Sequence, residues 1–173
     1  MDPTKSKAPS TEAVARSYFE ALAARDREAT AALRSPEWIG DVIALGVVLR
    51  GPDEGRALFE ELYGAFPDLE ITIEDVIADG DRAAVRWRMV GTHTGTPLQG
   101  VEATGKRVET RAVDWLDIED GLVTRTTAYF DGMGQARALG MMPPVGSAAE
   151  GAMKQAFNLA TRARSAIRQR TGG

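Results

Sequence analysis

The sequence predicts an α+β fold: three N-terminal helices, then an antiparallel sheet, then one extra C-terminal helix. Up to Phe66 the apolar residues of three segments recur with the period of a helix face, and from Leu69 to Asp131 they recur at every second position, the period of a half-buried strand. Turn signals at Asp79-Gly80-Asp81 and Asp120-Gly121 divide that second stretch into hairpins. Helices gathered first and strands afterwards distinguish α+β from an alternating α/β chain.

Taken in order, Ser10 or Thr11 is placed to cap a first helix whose Val14, Tyr18, Phe19 and Leu22 share one face. Asp26 caps a shorter second helix, which ends near Leu33 because Ser35-Pro36 stops it. Trp38 to Leu49 is apolar with Gly46 inside, the pattern of short strands around a bend. Gly51-Pro52-Asp53 opens a third helix with proline near its start, and Leu58, Phe59, Leu62, Tyr63 and Phe66 form its apolar face. Segments 69–78, 82–93, 107–118 and 122–131 read as four strands, the middle connection turning around Gly95 and Thr104-Gly105. Residues 148–170 place Met153, Phe157, Ala160, Ala163 and Ile167 near one helical face. The expected organisation is a flexible N-terminus over 1–9, one domain over 10–142, and a basic helical extension over 143–173.

Composition excludes several classes. With no cysteine there is no disulfide, thiolate metal site or cysteine nucleophile. The opening MDPTKSKAPS lacks an apolar signal core, and no stretch approaches the roughly 20 apolar residues of a membrane span. A cytoplasmic location without membrane contact is the expectation. The net charge of −4 is uneven: residues 145–173 carry Lys154, Arg162, Arg164, Arg168 and Arg170 against Glu150, +4, which leaves −8 on residues 1–144. An acidic body argues against a nucleic-acid partner. The basic helix is expected to dock on that body, in cis or across a dimer, with a membrane surface or anionic partner as the alternative.

The alternation assigns faces. Thr110, Ala112, Asp114, Leu116 and Ile118 share one side of the third strand, and Leu122, Thr124, Thr126, Ala128 and Phe130 one side of the fourth; both rows are the more apolar and are placed inward. Asp114 is then the only charge on an apolar row. Such a carboxylate is costly to ionise, its pKa rises, and it becomes a candidate general acid or base near neutral pH. The competing reading is a structural carboxylate satisfied by a tyrosine, a backbone amide or water.

The punctuation of the chain runs Pro67-Asp68-Leu69, Gly80-Asp81-Arg82, Gly91-Thr92-His93-Thr94-Gly95, Thr104-Gly105-Lys106, Glu119-Asp120-Gly121 and Tyr129-Phe130-Asp131. In that order it resembles the SnoaL-like polyketide cyclase and ester cyclase branch of the nuclear transport factor 2-like superfamily, over roughly residues 10–142. The resemblance implies a cone-shaped, cystatin-like α+β barrel, its sheet wrapped around the first helix, with an apolar pocket at the open end and no cofactor or metal. Tyr18, Trp38, Asp41, Trp87, Ala112, Leu116, Thr126, Ala128 and Phe130 are the expected pocket lining, with Asp114 as the catalytic group. It also implies a general acid/base aspartate on the last strand, three residues before Asp131, where this chain has Ala128. The slot matching Asp114 holds a histidine in those cyclases, and the family's asparagine-bearing loop position falls at Gly40, with Asp41 adjacent.

Related activities fit less well. The epoxide hydrolases of the superfamily use an Asp-Arg-Asp set, whereas this chain reads Arg86-Trp87-Arg88 in the middle strand and again Ala128 in the last. The steroid isomerase branch needs a tyrosine and an aspartic acid that donate to an oxyanion, parts for which Tyr18 and Asp114 are available. His93, the sole histidine, is a further catalytic candidate, although its place in a turn motif suits a bond to backbone. Two functions stay open: a cofactor-independent enzyme performing cyclisation or isomerisation on an apolar, carbonyl-containing, polyketide-like molecule, and a non-catalytic binder of such a ligand. A homodimer through the outer sheet face, bearing Arg86, Arg88, Arg111, Trp115, Arg125 and Tyr129, is expected from the resemblance and from that mixture of arginine and aromatic residues.

Overall fold

The computed structural model describes residues 9–171, so nearly all of the expected flexible N-terminus lies outside the described residues. Helix α1 (Thr11–Ala23) starts where the Ser10 side chain accepts from Ala13 N at 3.2 Å, and α2 (Arg27–Ala32) where Asp26 accepts from Ala29 N at 2.9 Å. Each cap satisfies a backbone donor that the first helical turn cannot. Strand β1 (Arg34–Val42) bends through a single 3₁₀ turn (Ile43–Leu45) into β2 (Val47–Arg50), with Gly46 at φ 64° supplying the left-handed residue between them. Then come α3 (Gly51–Ala65), β3 (Glu70–Asp79), β4 (Arg82–Thr92), β5 (Arg107–Glu119), β6 (Leu122–Phe130), α4 (Gly132–Ala138) and α5 (Ala148–Thr171).

The six strands form one sheet in the order β2-β1-β6-β5-β4-β3. The predicted antiparallel run holds from β3 to β6, but β1 joins β6 in parallel, so the sheet is mixed. The second helix ends before Ser35-Pro36 as expected, but the strand begins ahead of Trp38: Arg34 already pairs with Val123, and the register slips before Ile39 pairs with Arg125. Proline is tolerated there because the irregularity removes the ladder bond that its missing N–H would have made.

Helix α1 packs against β3, β4, β5 and β6, and its Val14, Ala15, Tyr18, Phe19 and Leu22 are buried with Phe66, Val85, Trp87, Leu116 and Val123. Truncating a side chain such as Phe19 to alanine in such a core costs about 3–5 kcal/mol. The inward row of β5 is as predicted, with Thr110, Ala112, Asp114, Leu116 and Ile118 all buried. The row of β6 needs correction at its start. A bulge between Asp117 and Ile118 pairs Ile118 with Val123, which is fully buried, so Leu122 and Thr124 leave the inner face and Thr126, Ala128 and Phe130 keep it.

Two further differences lie at the C-terminal side. Helix α4 has no apolar periodicity to announce it; Asp131 caps it by accepting from Gly134 N at 2.8 Å. Among the described residues of α5 the expected docking in cis is not seen: Met153, Phe157 and Leu159 remain exposed. It is tethered at its start, where buried Glu150 binds Arg137 and Lys154, each at 3.1 Å, and accepts from Gly146 N. A helix whose apolar stripe is this thin gains too little from burial to be drawn onto its own domain.

Candidate functional site

A cavity of ≈ 280 Å³ lies at one end of the sheet, walled by α1, β1, α3, β4, β5 and β6 and bordered by the Leu98–Val101 loop and α4. Most of its lining is apolar: Trp38, Leu58, Phe59, Leu62, Met89 and Phe130 among others. Its polar side chains are Tyr18, Asp41, Gln99, Thr110, Asp114, Thr126 and Gln135. An apolar chamber with a few placed polar groups is the usual form of a small-molecule site.

Asp114 reaches the wall because its inward position on β5 is opposite Val85 on β4 and Ala128 on β6. The residue is 6% exposed, and Trp87 Nε1 donates to its Oδ1 at 2.9 Å. Burial raises the carboxyl pKa from 3.8 to about 7; the bond from Trp87 opposes the rise but does not cancel it. With no cation paired to it among the described residues, the carboxyl titrates close to neutral pH, the condition under which it both gives and takes protons.

On the α1 side, Tyr18 is 1% exposed and its hydroxyl accepts from Arg34 Nε and Nη2 at 2.9 and 2.7 Å. Burial raises its pKa and the guanidinium works against that rise. Thr126 Oγ1 accepts from Trp38 Nε1 at 3.1 Å and also interacts with Tyr18. Glycines make the packing possible. A Cβ on Gly40 would come within 2.3 Å of the Trp38 ring, and one on Gly55 within 2.5 Å of Arg34 Nη1.

The structure brings Tyr18, Trp38, Asp41, Trp87, Thr126, Ala128 and Phe130 to the cavity together with Asp114. Ala112 and Leu116 face inward without reaching it. Ala112 is paired across the sheet with Trp87 and Phe130, and Leu116 is sealed into the core cluster with the buried residues of α1. His93 is fully buried outside the cavity lining; its Nδ1 accepts from Thr104 N at 3.4 Å and its ring lies 5.2 Å from that of Phe66. Among the described residues no group of three histidine, aspartate or glutamate side chains is placed to hold a metal ion. Sequence reasoning missed Arg34, which sits beside the breaker Ser35-Pro36 and carries no periodic signal, and Gln99 and Gln135 at the cavity border.

The profile of the SnoaL-like polyketide cyclases matches residues 12–139, which span every strand and all of the cavity lining except Met141. The chain belongs to the SnoaL-like polyketide cyclase family. Among solved structures this SnoaL-like chain is similar to AclR from Streptomyces galilaeus, a candidate hydroxylase, at 25% identity over 82% of this chain and 92% of that one, with a TM-score of 0.69. A candidate ketosteroid isomerase from Kribbella flavida shares 26% identity over 70% of this chain and 77% of that one, at a TM-score of 0.55. A candidate SnoaL-like cyclase from Jannaschia sp. CCS1, at 22% identity, 82% and 100% coverage and a TM-score of 0.70, shows the shared fold. No curated protein matches the SnoaL-like chain. Family and fold support a small-molecule cyclase or isomerase role, and no helix among the described residues is long and apolar enough to cross a membrane.

Proposed function

We propose that the protein is a cofactor-independent enzyme that moves a proton on an apolar, carbonyl-containing molecule, in a cyclisation or isomerisation, with Asp114 as the proton-transfer group. One observation carries this reading: the buried carboxyl of Asp114 in the cavity wall, its pKa near 7, directly opposite Ala128. Ala128 occupies the position at which the family resemblance places the general acid/base aspartate. Directly opposed residues in an antiparallel pair have Cβ atoms about 5 Å apart. In this reading the carboxylate has crossed one strand and still faces the same ligand. Asp114 takes the proton from the carbon next to the carbonyl while Tyr18 donates to the carbonyl oxygen, and the electron pair of the C–H bond becomes the enolate.

The test is proton exchange on an enolisable bicyclic ketone, 2-tetralone, followed in D₂O. Asp114→Asn keeps the shape and the acceptor for Trp87 but cannot titrate, so exchange should fall by about 10²–10⁴-fold with little change in binding. Full exchange in that variant removes Asp114 from the chemistry. No exchange by the wild type, with binding intact, favours the second reading, a ligand-binding pocket that lost its chemistry with the residue at 128.

Assembly belongs to the same proposal. Exposed Val113, Trp115 and Tyr129 adjoin on the outer face, Val113 paired with Tyr129, beside the ladder of Arg86, Arg88 and Arg111 with Glu74 and Glu109. An apolar patch rimmed by such charges supports a homodimer through the sheet.

A further inference from the structure

Arg34 is the least expected residue of the site. It is 4% exposed, and among the described residues its guanidinium forms no ion pair. What surrounds it instead is the Tyr18 hydroxyl, the Pro52 carbonyl at 3.4 Å from Nη1, and three aromatic faces: Trp38 at 4.2 Å, Tyr18 at 5.3 Å and Phe59 at 5.9 Å. These contacts offset part of the desolvation of a buried cation, but none neutralises it. On its other side Arg34 borders a polar cleft whose Arg27 and Arg56 are already paired, with Glu60 and Asp53. Arg34 lines that cleft, along with Asp26 and Glu28, and not the cavity, which it reaches only through the Tyr18 hydroxyl.

The geometry at Tyr18 sets the direction of the hydrogen bond. Nε–H and Nη2–H both donate to its oxygen, which uses the acceptor capacity of the hydroxyl and leaves its own proton to point away from Arg34. On that side lie Thr126, hydrogen-bonded to Tyr18 and the partner a ligand oxygen would join or displace, and the cavity. A hydroxyl polarised by two donations from a cation is a stronger donor than the same buried hydroxyl without them.

We propose that Arg34 is a positioning residue which, acting through Tyr18, makes this wall a receptor for an anionic oxygen, and that the ligand is an apolar molecule with an enolic or phenolic hydroxyl, bound as its oxyanion. A neutral carbonyl would gain one ordinary hydrogen bond here. An oxyanion gains a charge-assisted one and neutralises the buried guanidinium through the intervening hydroxyl, in a site where water does not screen the field. The inference deepens the proposed function, since the enolate formed by proton loss to Asp114 is such an oxyanion; the two share Tyr18, but this one stands on Arg34 and not on the titration of Asp114.

The experiment uses 4-nitrophenol, whose absorbance reports its ionisation, and nitrobenzene as a neutral probe of the same size. Wild-type protein should bind 4-nitrophenol as the phenolate at a pH where the free compound is mostly neutral. Arg34→Met should abolish that spectral shift and weaken phenolate binding about 10- to 100-fold, the worth of hydrogen bonds to a charged group, while nitrobenzene binding is unchanged. Arg34→Lys keeps the charge without the fork and should recover part of the shift; it also serves should the methionine variant fail to fold. Tyr18→Phe should lose the shift. A bound 4-nitrophenol that ionises as it does in water overturns the proposal, as does a wild-type shift in Arg34→Lys together with Tyr18→Phe. Asp114→Asn must keep the shift, so lost exchange with an intact shift points at the chemistry of Asp114 alone. An absent shift with intact wild-type exchange sinks only the role of Arg34.

Discussion

Replacing Asp114 by asparagine should make the protein more stable at alkaline pH while impairing it as a catalyst. The carboxyl titrates at 3.8 in the unfolded chain and at about 7 when folded, raised by burial. Between those values the native protein holds a proton that the unfolded chain has released, so stability falls as pH rises. The slope is about 1.4 kcal/mol per pH unit, and over the three units the loss approaches about 4 kcal/mol; it is absent below pH 4 and complete above pH 7. Asparagine does not titrate and still accepts from Trp87 Nε1, so it escapes this loss. Urea unfolding of both proteins at half-unit steps from pH 4 to 8 should therefore show the variant gaining on the wild type through that window by about 4 kcal/mol. A difference that stays constant within about 1 kcal/mol would mean that Asp114 is solvated or paired in solution, and the argument for its chemistry would fall with it. Retaining a residue that destabilises the fold at working pH is the expected trade of stability for activity at a site.

Trp87→Phe removes the donor that holds the Asp114 pKa down. The inflection in the pH dependence of 2-tetralone exchange should then move to higher pH, and an unmoved inflection would show that the indole bond does not reach the titrating group. Ala128→Asp restores a carboxylate opposite Asp114; two acids so close cannot both ionise freely, so one pKa should rise further and exchange should change, which carboxyl-labelled NMR and the exchange assay read together. Trp115→Glu places a charge in the exposed outer-face patch and should convert a sedimenting dimer to monomer without loss of helicity; a wild type that is monomeric at micromolar concentration refutes the interface.

The fold was legible wherever burial is one-sided. Alternation along β5 identified its inward row, Asp114 included, because each of those positions is buried while its neighbours are not. It failed at Leu122 and Thr124 because a bulge inserts one residue and exchanges the faces, and nothing local marks the slip. The parallel pairing of β1 with β6 is a long-range choice between distant segments, invisible to a local period. The site was half legible. Trp38 and Tyr18 appear as apolar-face residues and Asp114 as a misplaced charge, but Arg34 is an arginine next to a proline, and only the fold shows that Gly55 lets α3 approach and seal it against Tyr18 and Trp38.

The central claim is that the titration of Asp114 governs chemistry in this cavity. The most direct measurement is the rate of 2-tetralone proton exchange from pH 5 to 9, set beside the carboxyl shift of Asp114 followed by ¹³C NMR over the same range. If Asp114 is the base, exchange should rise with unit slope and level off near pH 7, the NMR titration should share that midpoint within about one unit, and both should vanish in Asp114→Asn. An exchange profile that rises through a different pH, or that persists in Asp114→Asn, would contradict the account.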